Sequence, residues 1–132
     1  MKPAFRPKIL LVDDNPDARL IMGRSLRAKG YDVLEASSGK DILSRAKLEW
    51  PALIILDIVL PDIRGTEVFE ALRADPVTKA IPVLLMTAKP DVVQQLPGFQ
   101  NSLDRRLEKT GRPEELVQTV HEMLTGTKRR GG

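Results

Sequence analysis

Residues 8–16 read KILLVDDNP. Ile9 to Val12 is an unbroken apolar run, the pattern of a strand covered on both faces. It stops at two adjacent acids, Asp13 and Asp14. Asn15-Pro16 then offers a helix cap followed by proline at the first helical position. The stretch is one strand–loop–helix step of a parallel α/β fold, with two like charges at the strand's carboxyl end. Such charges repel, and burying them costs several kcal/mol per ion unless something compensates.

The same step recurs along the chain. Ala18, Ile21, Met22, Ser25 and Leu26 follow at helical spacing, and Gly30 is placed to end that helix. Tyr31 to Ala36 (YDVLEA) reads as a second strand nearer an edge, and Ser38-Gly39 turns the chain into a helix carrying Ile42, Leu43 and Ala46. Pro51 to Leu56 (PALIIL) is the most apolar strand and again runs into an acid, Asp57. Leu60-Pro61 through Gly65 is a loop, Thr66 to Arg73 a helix, and Pro82 to Met86 a buried strand with Thr87 at its end. Arg106 to Glu108 is a weakly marked fifth strand before Lys109. Arg112-Pro113 opens a last helix with Leu116, Val120, Met123 and Leu124 on one face. Parallel neighbours need crossover helices, and right-handed crossovers distribute them over both faces. The pattern predicts a doubly wound α/β sandwich with one core.

Bulk composition narrows the function. A chain of 132 residues suits one domain. With one Trp, one Tyr and three Phe, the core must be aliphatic. Cysteine is absent, which excludes disulfides and thiolate metal sites and fits a cytoplasmic protein. His121 is the single histidine, so histidine-cluster metal sites are excluded, and it is expected at the surface or edge of the last helix. The net charge is +3, and much of the excess lies near the ends, in Lys2, Arg6 and Lys8 and in Lys128, Arg129 and Arg130. These ends read as solvated, and direct nucleic-acid binding is not expected. No apolar run is long enough for a signal sequence or a bilayer span, so no membrane association is expected. The division expected is an N-terminal extension over 1–7, a domain over 8–124 and a basic tail over 125–132.

In doubly wound sheets, ligands sit outside the carboxyl ends of the central strands. Asp13, Asp14, Asp57, Thr87 and Lys109 all fall there, from four different strands. Singly, each is an ordinary turn or cap residue. Jointly they define a site. The segments LLVDDN, LIILDIVLPDIRG, IPVLLMTA and the Lys109 region, in this order, resemble the receiver domain of two-component response regulators, the CheY-like family. The similarity spans roughly Lys8 to Leu124. It implies a flavodoxin-like fold: a five-stranded parallel sheet of order 2-1-3-4-5 with helices on both faces.

The resemblance also implies roles. Asp57 would accept a phosphoryl group from the phosphohistidine of a sensor histidine kinase or phosphotransfer protein. Asp14 and Asp57 would bind Mg²⁺ directly, as would the backbone carbonyl of Val59, and Asp13 mainly through water. Thr87 and Lys109 would contact the phosphoryl oxygens. Phosphorylation would then remodel the surface formed by the helix expected after the fourth strand, the fifth strand and the last helix. The target would be a downstream protein or an output domain outside the chain, with phosphorylation-dependent dimerisation as one form of the response. Such a domain is not an enzyme beyond its own phosphorylation and dephosphorylation.

The chain departs from the family pattern on the output side. Arg106 stands where the switch aromatic is expected, and Thr110 where proline usually follows the lysine. Residues 89–101 (KPDVVQQLPGFQN) place Pro97-Gly98 where a helix interior should be, predicting a short or broken element. Val59 and Lys89 occupy the two positions that tune phosphorylation lifetime. These departures favour an alternative, a docking module that works without phosphorylation. A haloacid-dehalogenase-type phosphatase would need a second aspartate two residues beyond Asp57, and Val59 stands there.

Overall fold

The computed structural model describes residues 6–60, 62–87, 96, 98–100, 103–109 and 112–126. Its elements are β1 (Lys8–Val12), α1 (Pro16–Ala28), β2 (Asp32–Ala36), α2 (Ile42–Glu49), β3 (Leu53–Asp57), α3 (Gly65–Ala74), β4 (Val83–Thr87), β5 (Arg105–Glu108) and α4 (Pro113–Thr125). The strands form one sheet of order β2-β1-β3-β4-β5, and every neighbouring pair is parallel. This is the expected doubly wound order, with β2 at an edge. Lys89, Pro97, Thr110 and Gly111 lie outside the described residues, as does most of the segment 89–101.

Local chemistry sets the helix ends. Asn15 Oδ1 accepts a hydrogen bond from the Ala18 amide at 3.0 Å, and Pro16 opens α1 where its missing N–H is no loss. At the other end Gly30 adopts φ +95°, which an L side chain resists. That turn lets the Gly30 amide donate to Arg27 O at 2.9 Å and the Tyr31 amide to Leu26 O at 3.3 Å, so two helix-end carbonyls are satisfied. Trp50 ends α2 in the same left-handed region, at φ 51°, with its residue surface 74% exposed.

Two apolar layers sandwich the sheet. Leu10, Val12, Ile54, Leu56, Val83 and Leu85 face α2 and α3, where they meet Ile42, Ala46, Val68, Phe69 and Leu72. Ile9, Leu11, Leu53, Ile55, Leu84 and Met86 face α1 and α4, where they meet Met22, Leu26, Leu116 and Val120. Successive strand residues thus serve opposite layers, so β1 and β3 must be apolar at every core position. Each fully buried Leu or Ile contributes about 1.5–3 kcal/mol of transfer free energy.

Some details differ from the sequence reading. Observed strands begin later than expected at Asp32, Leu53 and Val83, and β3 and β4 extend to Asp57 and Thr87. Pro51 and Pro82 have no amide hydrogen to give a ladder, although the Pro82 carbonyl still accepts from Ile54 N at 3.0 Å. β5 starts one residue earlier, at Arg105. Ile21, expected on the buried face of α1, is 50% exposed. The buried stripe instead follows Met22 and Leu26, four residues apart, and Ile21 is rotated about 100° from Met22. His121 is exposed, as expected.

At the amino ends of β4 and β5, a buried charge pair closes the fold. Asp104 accepts from Arg73 Nη2 of α3, from the Val83 amide at 3.0 Å and from the Gln100 amide at 3.1 Å. Arg73 also donates to Ile81 O at 2.9 Å, and its guanidinium lies 4.9 Å from the centre of the Phe69 ring. Phe69 in turn meets Phe99, with ring centroids 6.3 Å apart. Phe99 and Asp104 are thereby fastened to α3. Replacing Asp104 with alanine leaves Arg73, whose side chain is 6% exposed, as an unpaired buried charge. Chemical denaturation of Asp104→Ala is expected to show a loss of about 3 kcal/mol in unfolding free energy.

Candidate functional site

The carboxyl ends of β1, β3, β4 and β5 meet at one edge of the sheet, and the polar groups read from the sequence stand there. Asp57 closes β3 in register with Met86, and Thr87 closes β4 in register with Glu108. The Lys109 amide donates to Thr87 O at 2.9 Å, which extends the β4–β5 ladder by one bond and aims the lysine back over β3. Its ammonium reaches Asp57 Oδ2 at 2.7 Å and Asp13 Oδ2 at 3.0 Å. Asp13, Asp57 and Lys109 are thus brought into direct contact. Asp14 is exposed beside them, and one carboxylate oxygen from each of Asp13, Asp14 and Asp57 lies within 4.8 Å of the others. Val59, also exposed, donates its amide to Asp57 Oδ1 at 3.0 Å.

The loops that carry these groups are tightly determined. The Asn15 amide donates to Asp13 Oδ1 at 2.9 Å, so the chain turns back on its own acid before α1 begins. Gly65 opens α3 against the backbone at the carboxyl end of β3. A Cβ at Gly65 would stand 2.3 Å from Asp57 O and 2.6 Å from Ile58 Cα, so only glycine lets α3 start there. Gly65 N donates to Ile58 O at 2.8 Å and ties the helix to the residue after Asp57.

The electrostatics are unbalanced. Burial pushes the Asp57 carboxyl above the ordinary aspartate range, against the downward pull of the Lys109 hydrogen bond and the Val59 amide, while the Asp13 charge adds to the rise. Burial alone would lower the Lys109 ammonium, but its hydrogen bond to Asp57 and the attraction of the Asp57 and Asp13 carboxylates outweigh that and raise it. By formal charge, three carboxylates against one ammonium leave a surplus of two negative charges in the pocket. Among the described residues Asp13 Oδ2 is buried and accepts no well-formed hydrogen bond, with the Lys109 ammonium 3.0 Å away as an ion-pair partner. An oxygen-only donor set with a surplus of two negative charges and an orphaned acceptor suits a hard divalent cation.

The sequence reading missed two features of the surroundings. Arg19 of α1 donates from Nη1 to Asp13 O at 2.7 Å, and its Nε lies 3.5 Å from Glu35 of β2. The spacing of Arg19, Gly23 and Arg27 on one face of α1 was the available signal. An apolar cleft between α1 and α4, lined by Ile21, Met22, Leu107, Pro113 and Leu116, also opens beside Lys109. On β5, half-buried Arg106 sits in register with Leu85, which places it on the sheet face that carries α2 and α3.

The fold and this edge define a class: single-core α/β domains with an acid pocket at the topological switch of a parallel sheet. The family model for the response regulator receiver domain matches residues 9–121. The chain belongs to that family of two-component signalling domains. It is 34% identical over 120 residues to the DNA-binding response regulator MtrA of Mycolicibacterium smegmatis, covering 91% of this chain and 51% of that protein. It is 35% identical over 117 residues to the alkaline phosphatase synthesis transcriptional regulatory protein PhoP of Bacillus subtilis, covering 89% and 48%. The chain therefore spans about half the length of these curated relatives. Among solved structures it resembles the chemotaxis response regulator CheY4 of Vibrio cholerae, with a TM-score of 0.81, 29% identity and coverage of 91% and 100%. A putative response regulator from Chloroflexus aurantiacus gives 0.80 and 32%, covering 92% and 99%. Among the described residues, no helix is long and apolar enough to cross a membrane.

The raised acid sets a sign for stability. A carboxyl whose folded pKa exceeds its unfolded value favours the fold below the unfolded pKa, and that contribution is lost as pH rises through the folded pKa. Ionised Asp57 therefore costs stability at neutral pH when no divalent cation is supplied. Asp57→Asn is expected to melt a few degrees above wild type at pH 7 in chelator. The gap should close below about pH 4, where the wild-type carboxyl is protonated.

Proposed function

We propose that the domain over residues 8–124 is a phosphorylatable receiver working in the cytoplasm, with Asp57 as acceptor and Mg²⁺ as cofactor. The observation that carries this reading is the Lys109 ammonium bridging Asp57 at 2.7 Å and Asp13 at 3.0 Å inside a three-carboxylate pocket. Asp14, Asp57 and the Val59 carbonyl would hold the cation directly, and Asp13 mainly through water. When bound, the cation supplies charge neutralisation for the carboxylates and the incoming phosphoryl oxygens. An Asp57 carboxylate oxygen forms the bond to phosphorus as the donor's P–N bond breaks, and the electron pair stays on the donor imidazole. Lys109 shifts its charge from the carboxylates to the phosphoryl oxygens, and the Thr87 hydroxyl donates to one of them. The domain acts on itself alone in this chemistry.

The phospho-donor is a histidine kinase or phosphotransfer protein, and the apolar cleft beside Lys109 offers it a seat within reach of Asp57. The signal passes to a downstream protein or an output domain. The relatives that are DNA-binding regulators, of which this chain spans about half, support an output of that general kind. The intact pocket weighs against a docking module that works without phosphorylation, although Arg106 in place of an aromatic favours a changed coupling to the output surface.

Incubation with acetyl phosphate and Mg²⁺ should produce a single phosphoryl adduct by intact mass, absent in Asp57→Ala and without Mg²⁺. An adduct that persists in Asp57→Ala sinks the assignment. Val59, with its residue surface 74% exposed at the pocket, carries no group to orient an attacking water. Val59→Asn should therefore shorten the phosphoryl lifetime severalfold in a decay assay, and an unchanged lifetime would count against this role.

A further inference from the structure

Beneath the acid pocket, α1 and the edge strand β2 are joined by a cluster of charges that the phosphorylation chemistry does not use. Arg19, Gly23 and Arg27 follow at intervals of four on one face of α1. Glu35 of β2 stands opposite that face. Arg27 Nη2 donates to Glu35 Oε2 at 2.9 Å and to Val33 O at 3.0 Å. Arg19 Nε lies 3.5 Å from Glu35 Oε1, so one carboxylate is shared by two guanidinium groups. Gly23 leaves room for the pair: a Cβ there would lie 3.0 Å from Arg27 Nη1 and 3.3 Å from Glu35 Oε2. Glu35 is fixed from behind as well, because its carbonyl accepts from Arg45 Nη1 of α2 at 2.8 Å.

Only one member of this cluster reaches the pocket. Arg19 Nη1 donates to the carbonyl of Asp13 at 2.7 Å, while the Asp13 amide donates to Ala36 O of β2 at 3.1 Å. Both backbone groups of Asp13 are therefore held. Its carbonyl lies in the planar peptide that joins Asp13 to Asp14, so fixing that oxygen fixes the plane from which both carboxylates project. Arg19 is also a cation close to where another cation must sit, and unmodified that charge would oppose metal binding. Glu35 offsets it.

We propose that Arg19, held by Glu35, is a positioning residue for the Asp13–Asp14 pair and tightens the pocket's grip on Mg²⁺. The inference rests on the reading of the pocket as a Mg²⁺ site, and it assigns the edge strand β2 a part in that site. Arg27 supplies the control. It shares Glu35 and ties α1 to β2, but it makes no contact with Asp13 among its hydrogen bonds.

The test is calorimetric titration of the chain with Mg²⁺, together with amide hydrogen exchange at Asn15, whose N–H is bonded to Asp13 Oδ1. Arg19→Met should weaken Mg²⁺ about tenfold and speed Asn15 exchange, after correction for any change in global stability. Arg19→Lys should restore part of both. Arg27→Met should leave both within about twofold of wild type, although it too loses an ion pair to Glu35. Equal losses in Arg19→Met and Arg27→Met, or tighter or unchanged Mg²⁺ binding in Arg19→Met, overturn the proposal. Unchanged Asn15 exchange in Arg19→Met overturns it whatever the affinity. If wild type takes up no Mg²⁺, the reading of the pocket fails by itself, and the Asn15 comparison alone decides whether Arg19 positions the loop.

Discussion

Three carboxylates gathered within 4.8 Å would fly apart in an unconstrained chain, and one lysine stands between them. The rest of the fold holds that arrangement. Two strands apolar at every core position anchor Asp13 and Asp57 at a rigid edge, because a sheet covered on both faces cannot slide without exposing one layer. The β4–β5 ladder delivers Lys109 to the same edge through the bond from its amide to Thr87. Even the opposite end of the sheet contributes, since Arg73 and Asp104 fasten the start of β5 to α3, and α3 begins on the backbone beside Asp57. A chain of rigid contacts thus runs from Asp57 around the domain and back to the lysine that touches it.

Much of this was legible because it is periodic or punctuated. Continuous apolar runs marked the strands, acids directly after Val12 and Leu56 marked the edge, and Asn15-Pro16 marked the helix start. Strand order was not in the local pattern. It follows from which strands neighbour each other, and only the family resemblance supplied it. Strand boundaries shifted by a residue or two because pairing with a neighbour, not apolar content, decides which residues belong to a ladder.

What stayed hidden was long-range charge pairing. Arg73 and Asp104 are 31 positions apart, and Arg19 and Glu35 belong to different elements, so each reads as a solvated charge until the fold brings it to its partner. Ile21 was misassigned for the opposite reason. Helical spacing alone gave it a place in the stripe, but the layer above the sheet accepts only Met22 and Leu26 from that part of α1, leaving Ile21 to the rim of the cleft. Departures at Lys89, Pro97 and Thr110 lie outside the described residues, whereas Arg106 is seen in register with Leu85.

The left-handed residue that ends α2 bears on how this domain can be watched. Trp50 is the sole tryptophan, and it precedes the amino end of β3, whereas Asp57 closes the carboxyl end. With about 3.3 Å of rise per strand residue, the indole and the acid pocket lie at opposite poles, on the order of 15–20 Å apart. Its residue surface is already 74% exposed, so its emission reports on solvent and on whatever approaches the far pole. Intrinsic fluorescence is thus a poor witness to events at the carboxylates, and an optical probe of this domain's charge state has to be introduced at the pocket rather than borrowed from the chain.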